Sequence, residues 1–385
     1  MPRFFSILID KSVLQGLAPR EAKWLFHHLG VNLPPVFFAE VVGDLRKVKG
    51  FSTGSGEGDV KMLAGKVDSA FVDLNADSRT LVRDELRGRS VPVDGRPILE
   101  AERVRMPDGS YGMFLDQTPM QRVMTRWQEG NFEAMEREFA QVWRNRLASI
   151  DLHKVVQLNE HQRDKQARTP ADIRRIVDDL LFRPDQNFAN LSRWIDFVDI
   201  PAAWKRPVLL AWKNIGRPPG IKFAPYTAHV AKVRAFFYIA VTHHVITTRS
   251  SNQIDMEYFE YLPFARIFSS ADRLHSDMYP ALAADWQIFM PFADLKTALR
   301  EMADYYDALT PEQKLHGSMT YADYPPIEME NAITRAYDRF MPGWRVGANE
   351  PQPRDSAEDA RVMEHLKPIM DTIEAYKARK RDRPA

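Results

Sequence analysis

The chain has 385 residues, in which 53 lysines and arginines nearly balance 52 aspartates and glutamates. A net charge of +1 provides no overall attraction to nucleic acid, so binding of a polyanion requires a local basic surface. The chain contains no cysteine, which excludes disulfide bonds, iron–sulfur clusters, thiol nucleophiles and cysteine-ligated zinc. Because no apolar run approaches the about 18 residues of a membrane span and no secretory signal is recognisable, we expect a cytoplasmic protein.

The first 48 residues alternate between strand-like and helix-like sequence. In chain order, the pattern predicts a strand at 4–9, a helix at 19–29, an extended run at 31–38 and a helix at 39–48. The first strand is a continuous apolar run that ends at Asp10, which is typical of a buried strand in a parallel sheet. The second predicted helix carries Glu40 in its first turn.

The region from about 59 to 230 is predicted to be mostly helical. It follows a stretch at 50–58 that is rich in glycine and serine, which we interpret as a linker because it lacks the lysine of a phosphate-binding loop. The segment Pro107-Asp108-Gly109 predicts the turn of a β-hairpin within residues 96–115. Apolar residues at helical spacing within 119–147 predict helical structure that packs into a hydrophobic core.

Strand-like and apolar helical sequence returns after residue 228. The predicted elements are helices at 228–246 and 255–262, short strands at 265–268 and 286–290, and a helix at 295–308. Asp255 opens the second of these helices, and Asp272 closely follows the first of these strands. We interpret residues 343–359 as a linker, after which a final helix at 360–377 runs into a basic tail.

Four acidic residues therefore stand at the ends of predicted elements. Asp10 and Asp272 follow strand-like runs, whereas Glu40 and Asp255 stand near predicted helix starts. Functional groups of an open parallel sheet gather beyond the carboxyl ends of its strands, so we expect these carboxylates to converge. Converging carboxylates raise one another's pKa unless a cation neutralises them, and hard oxygen ligands favour Mg²⁺ or Mn²⁺.

The residues around these acids resemble the motifs of PIN-like domain nucleases. The matching segments are ILIDKSVL at 7–14, VFFAEVVGDL at 36–45 and IFSSADRLH at 267–275, together with Asp255 as an acid at a helix start. The resemblance implies that four acids are both metal ligands and catalytic residues, namely Asp10, Glu40, Asp255 and Asp272. It also implies that the hydroxyl groups of Ser12 and Ser270 support these ligands.

The same resemblance implies an α/β fold in which a PIN-like parallel-sheet core is interrupted by a large, mainly α-helical insertion. The insertion is needed because the interval between Glu40 and Asp255 is far longer than in small PIN proteins. The implied segments are the first part of the core at 1–48, the insertion at 49–227, the second part of the core with flanking helices at 228–342, and a linker with a C-terminal helix and basic tail at 343–385.

The implied activity is metal-dependent cleavage of phosphodiester bonds by water, with Mg²⁺ or Mn²⁺ as cofactor and RNA as the expected substrate. We therefore expect an endoribonuclease that binds nucleic acid, does not bind membranes, and pairs with a second copy of itself or with a regulatory protein. Carboxylates repel a polyanion, so basic side chains must supply the affinity. Candidates are the arginines between 79 and 105 and the tail at 377–383.

Alternatives to this interpretation stay open. One is a PIN-like fold that binds RNA or serves as a scaffold without turnover. Another is a phosphohydrolase of the haloacid-dehalogenase type, although that family needs a second aspartate at the position of Ser12. Each acid is also a plausible turn or helix-capping residue, and Glu257 or Glu260 can replace Asp255 as the ligand. His275 is a candidate for a phosphate contact or for a capping role.

Overall fold

The computed structural model describes residues 5–47, 53–68, 72–99, 102–105, 111–114, 119–159, 167–315 and 322–349, together with 364 and 367. The strands are β1 Ser6–Ile9, β2 Gly30–Leu33, β3 Val72–Leu74, β4 Glu102–Arg105, β5 Tyr111–Phe114, β6 Ile267–Ser270 and β7 Ile288–Pro291. Short 3-10 helices cover Asp44–Arg46, Ala202–Trp204, Tyr258–Phe264 and Gln313–Leu315.

The α-helices account for most of the described chain. In the first half they are α1 Lys11–Gly16, α2 Pro19–His28, α3 Pro35–Gly43, α4 Gly56–Ala64, α5 Ser78–Leu86, α6 Pro119–Glu129, α7 Ala134–Ser149, α8 Leu152–Asn159 and α9 Pro170–Leu181. In the second half they are α10 Asn187–Phe197, α11 Lys205–Asn214, α12 Gly220–Phe223, α13 Pro225–Thr242, α14 Ser251–Glu257, α15 Arg273–Leu282, α16 Phe292–Ala308, α17 Ala332–Phe340 and α18 Trp344–Asn349.

Five parallel strands form one sheet in the order β3-β2-β1-β6-β7. The central strand β1 is buried on both faces, and its residues Ile7, Leu8 and Ile9 are fully inaccessible to solvent. This burial explains why the strand is a continuous apolar run rather than an alternating one. The chain proceeds outward from β1 to β3 and then returns to the other side of β1 as β6. The strand order therefore reverses between β1 and β6, where open α/β sheets form ligand-binding crevices.

The chain divides into two compact units. The first consists of residues 1–99 and 124–300 and contains the whole parallel sheet, whereas the second consists of residues 100–123 and 301–385. The second unit contains the antiparallel pair β4–β5, which is the hairpin that the sequence predicts. The mixed α/β class and the parallel sheet are confirmed.

Several predicted boundaries are wrong near the start of the chain. The extended run ends at Leu33, because Pro35 occupies the first turn of α3, where its fixed φ and missing N–H are well tolerated. The proposed linker at 50–58 overlaps a helix, since Ser55 caps α4 and accepts a hydrogen bond from the backbone N–H of Gly58. The segment expected to be a helical insertion also contributes β3 to the sheet.

The later boundaries shift for similar local reasons. Pro263 does not end a helix but lies within the 3-10 helix that continues α14. The two predicted strands at 265–268 and 286–290 each begin two residues later, as β6 and β7. Residues 344–349 of the predicted linker form α18, and the predicted helix at 360–377 falls outside the described residues except for 364 and 367. No helix in the described part of the chain is both long and apolar enough to span a bilayer.

The segment 119–147, predicted to be helical and to pack into a core, forms two helices, α6 and α7, and some of its apolar side chains are exposed. Met124, Trp127 and Trp143 are buried as expected. Met135 and Val142, in contrast, are 70% and 63% exposed on α7. Helical spacing predicts that apolar side chains share one face of a helix, but which of these side chains are buried depends on the elements that pack against the helix.

Close packing of α7 against α3 fixes the helix that carries Glu40. Gly43 is the last residue of α3, and a Cβ atom built at this position would lie 2.6 Å from Cδ1 of the buried Trp143. Gly65, which ends α4, has the same right-handed helical backbone but meets its nearest neighbour only at 3.4 Å. The two glycines therefore form a matched pair that differs in available space.

We expect Gly43→Ala to lower the free energy of unfolding by about 1–3 kcal/mol, because the added methyl group overpacks the contact with Trp143. The Gly65→Ala control should be neutral or slightly stabilising, since alanine restricts the unfolded chain more than glycine does. Urea unfolding followed by circular dichroism measures both effects. Equal stability of the two variants would contradict the proposed packing constraint.

Candidate active site

The carboxyl ends of β1 and β6 form the centre of the candidate site. Asp10 directly follows β1 and caps α1, accepting a hydrogen bond of 3.2 Å from the backbone N–H of Val13. The hydroxyl of Ser12 lies 2.7 and 2.8 Å from the two carboxylate oxygens of Asp10, and it accepts a hydrogen bond from the backbone N–H of Ala271. The hydroxyl of Ser270, at the end of β6, donates to Asp10 Oδ2 at 2.8 Å. Both predicted hydroxyl residues thus contact Asp10.

His275 completes this network from α15. Its Nδ1 lies 2.7 Å from the Ser270 hydroxyl and 3.5 Å from Asp10 Oδ2, and its Nε2 lies 2.7 Å from the backbone carbonyl oxygen of Asp255. Ser270 already donates its one proton to Asp10, so its oxygen must accept from Nδ1–H. The carbonyl oxygen of Asp255 likewise requires a proton on Nε2. The contacts therefore fit a doubly protonated, positively charged imidazole ring.

The electrostatics of the pair agree with that assignment. Burial opposes ionisation of both groups, yet the hydrogen bond and positive charge of His275, aided by Ser12 and Ser270, lower the pKa of Asp10 below its ordinary value. In return, Asp10 raises the pKa of His275 despite the complete burial of the ring. Asp10 and His275 therefore form a buried ion pair at the carboxyl ends of β1 and β6.

Glu40 approaches from α3 and has two partners of its own. The hydroxyl of Tyr258 donates to Glu40 Oε2 at 2.5 Å, and the ammonium of Lys11 lies 3.7 Å from Oε1. Lys11 also pairs with Asp44 at 3.4 Å. Burial raises the pKa of Glu40, although the nearby Lys11 charge and the Tyr258 hydroxyl oppose that rise. The prediction that Glu40 stands in the first turn of its helix is wrong, because α3 begins at Pro35.

Asp255 lies in the last turns of α14 rather than at a helix start, since that helix begins at Ser251. Burial, together with the negative charges of Glu40, Asp272 and Asp10, raises the pKa of Asp255 to about 7, whereas His275 opposes the rise. No hydrogen bond from the described residues reaches its carboxylate. The negative charges of the three other predicted ligands therefore act on Asp255, and no positively charged side chain among the described residues forms a salt bridge with it.

Asp272 caps α15, where its Oδ1 accepts a hydrogen bond of 2.8 Å from the backbone N–H of Leu274. Its own backbone N–H donates to the hydroxyl of Ser270 at 2.9 Å. Ser270 therefore connects Asp272 to Asp10 across the two strands. Capping, the simpler role considered for this residue, is real, and it leaves the second carboxylate oxygen of Asp272 without a hydrogen bond from the described residues.

The structure brings the four acids into one neighbourhood but does not assemble a coordination site from them. Within the described ranges, no group of three or more acidic or histidine side chains has the geometry to hold a metal ion. The chemistry of these residues suits a hard cation, because Glu40, Asp255 and Asp272 supply carboxylate oxygens. The negative charges of Glu40 and Asp272 also act on the carboxyl of Asp255. Both oxygens of Asp10, in contrast, already accept hydrogen bonds.

Sequence reasoning missed two features of this site. Lys11, whose side chain is only 15% exposed, forms salt bridges with Glu40 and Asp44. Tyr258 holds Glu40 from the 3-10 helix that follows α14. Neither contact joins residues close in sequence, so spacing carried no signal for them. The position of His275 three residues after Asp272 indicated that it lies near the site, but the sequence did not show that its ring is buried against Asp10.

No protein-family model, curated protein or solved structure matches this chain.

The shifted pKa values predict how the ion pair responds to pH. The contribution of His275 to stability is fully present below its unfolded pKa of 6.5 and is lost as pH rises through the higher folded value. The contribution of Asp10 is present above its unfolded pKa of 3.8 and is lost as pH falls through the lower folded value. Both contributions are therefore complete between those two unfolded values.

We expect Asp10→Asn to lower the pKa of His275, because the ring then keeps its burial but loses its counter-charge. Titration of the histidine ring protons by NMR, with EDTA present throughout, measures this pKa directly. Asp44→Asn is the matched control, since Asp44 is a buried acid that pairs with Lys11 and Lys47 instead. An unchanged His275 titration in Asp10→Asn would show that the ion pair does not exist.

Proposed function

We propose that this protein is a metal-dependent hydrolase of phosphodiester bonds, with a PIN-like core and RNA as its substrate. The observation that carries the proposal is the placement of Asp10, Asp272 and Asp255 where the strand order reverses. At that place the pKa of Asp255 is raised to about 7, in part by the negative charges of neighbouring carboxylates. Excess negative charge of this kind is what a divalent cation relieves.

The residues that would hold Mg²⁺ or Mn²⁺ are the four predicted acids, Asp10, Glu40, Asp255 and Asp272. A bound cation of this type activates water and stabilises negative charge on a phosphoryl group. The chain's own contribution is to fix these acids. Ser12 and Ser270 orient the carboxylate of Asp10. His275 balances the charge of Asp10 and holds α14 through the carbonyl oxygen of Asp255.

A basic segment of the first compact unit supports binding of a polyanion. Between Asp199 and Asp255 the chain contains no acidic residue but eight lysines and arginines, namely Lys205, Arg206, Lys213, Arg217, Lys222, Lys232, Arg234 and Arg249. Those on α11, α12 and the turn between them are largely exposed. Since such contacts release counterions from the nucleic acid, binding should weaken steeply as salt concentration rises.

One observation favours the alternative of an RNA-binding protein without turnover. The ammonium of Lys11 already forms salt bridges with Glu40 and Asp44, and the described residues present no assembled metal site. Glu40 therefore has a positive partner within the chain and does not require a metal ion for charge compensation. Binding of RNA without cleavage, at any concentration of Mg²⁺ or Mn²⁺, would select this alternative.

The decisive test is cleavage of single-stranded RNA in the presence of Mn²⁺. We expect Asp255→Asn and Asp272→Asn each to reduce the rate by at least about 100-fold, because each removes one of the charges that holds the cation. EDTA should abolish cleavage by the unmodified protein. Binding of Mn²⁺, measured by electron paramagnetic resonance, should weaken in parallel with the rate.

Asp277→Asn is the control for this test, because Asp277 is an exposed acid of α15 that pairs with Arg273. This variant should cleave RNA at the rate of the unmodified protein. Full activity of Asp255→Asn and Asp272→Asn, with folding confirmed by circular dichroism, would overturn the site assignment. Single-stranded DNA and structured RNA, offered in parallel, would show which nucleic acid is preferred.

A further inference from the structure

A cavity of about 650 Å³ lies in the first compact unit, lined by residues of α10, α13 and α14 and by the chain between α10 and α11. This volume falls within the range of about 300–1,000 Å³ that is typical of small-molecule sites. None of the four predicted metal ligands lines it. The cavity is therefore a separate candidate site.

One part of the cavity wall is apolar. Ile195 of α10, Val233 and Phe237 of α13, and Met256 of α14 all line it, and each of these side chains is at least nine-tenths buried. A planar or apolar ligand group packed against this wall would lose its own contact with water, which is favourable.

Three arginines line the same cavity, and they differ in whether a described acidic residue forms a salt bridge with them. Arg234 forms an ion pair of 2.7 Å with Glu260, and Arg79 lies 3.6 Å from Asp199 in a solvent-exposed pair. Arg146 forms no ion pair with a described residue, and its guanidinium instead lies 5.6 Å from the centre of the Trp143 ring. Arg146 thus brings to the cavity a guanidinium that forms no salt bridge with a described residue, and the exposed Arg79 also lies on the lining.

Glu257 supplies a hydrogen-bond acceptor on the same lining. No hydrogen bond from the described residues reaches its carboxylate, although Arg146, Arg234 and Arg79 all act on it electrostatically. A half-buried carboxyl whose oxygens accept no hydrogen bond from the described residues favours a ligand that carries N–H donors.

We infer that this cavity binds a nucleotide, with the phosphate held by Arg146 and Arg79, the base packed on the apolar wall, and base N–H groups donating to Glu257. Each of these three features matches one chemical part of a nucleotide. A simple inorganic anion would make no use of the apolar wall or of Glu257, whereas an apolar ligand would leave the guanidinium of Arg146 without a salt bridge.

The same chemistry is offered by a free mononucleotide and by one nucleotide unit of an RNA strand. Glu257 stands two residues after Asp255 on α14, so the ligand would contact the helix that also carries a residue of the acidic site. Binding to the cavity requires no metal ion and no hydrolysis. The inference therefore goes beyond the proposed nuclease activity and can be tested without it.

The test is isothermal titration calorimetry on the full chain in EDTA. The probes are the 5′-monophosphates of adenosine, guanosine, cytidine and uridine, and a short single-stranded RNA. We expect at least one probe to bind, and Arg146→Gln and Glu257→Gln each to weaken its binding by about tenfold or more. Arg144→Gln and Glu138→Gln are matched controls, because both residues are exposed on α7 and neither lines the cavity. Both controls should bind as the unmodified protein does.

The probes distinguish the two sources of the nucleotide. Binding of a mononucleotide that depends on Arg146 and Glu257 supports a free nucleotide as the ligand, whereas binding of RNA alone with the same dependence supports a strand. The inference is overturned if no probe binds, or if both cavity variants bind like the controls. Thermal unfolding of each variant confirms that it is folded. Asp272→Asn should bind the nucleotide normally, so a failure of the nuclease proposal leaves this result interpretable.

Discussion

The parallel pairing of β1 with β6 is the constraint on which the candidate site depends. It joins Ile9 to Ser269, which are far apart in the chain, and so places Asp10 beside Ser270 at one edge of the sheet. The hydrogen bonds of Asp10 to Ser12 and Ser270, and its ion pair with His275, all follow from this register. A shift of one residue would turn every side chain of a strand to the opposite face, so the register also determines which residues meet.

Charge balance explains why the site holds its shape before any ligand binds. A buried carboxylate is tolerated only with a partner, and each acid here meets that need differently. Asp10 pairs with His275, and Glu40 pairs with Lys11 and Tyr258. Asp255 has neither a cation in contact nor a hydrogen bond from the described residues, and the pKa of its carboxyl rises instead. The carboxylates next to β1 and on α3 therefore have partners within the chain, whereas the negative charge on the side of α14 is not compensated by a described residue.

The same short helix relates the acidic site to the cavity. α14 contributes Asp255 to the first and Met256 and Glu257 to the second, since consecutive residues of a helix point in different directions. Its position is fixed by the contact of its backbone with His275 and by the Tyr258–Glu40 hydrogen bond directly after it. Two chemically different surfaces of the first unit are thus built on one turn of chain.

The sequence by itself determined the α/β class, the buried strand before Asp10 and the acid after β6, because these depend on local apolar runs and on the residues that end them. It misplaced Glu40 and Asp255 within their helices, because α3 already begins at Pro35, within the predicted extended run, and α14 already begins at Ser251. Only the tertiary structure decided that Lys11 and Tyr258 surround Glu40, that His275 is buried against Asp10, and that Met135 and Val142 remain exposed. Each of these outcomes depends on contacts between segments distant in the chain, which periodicity and spacing do not encode.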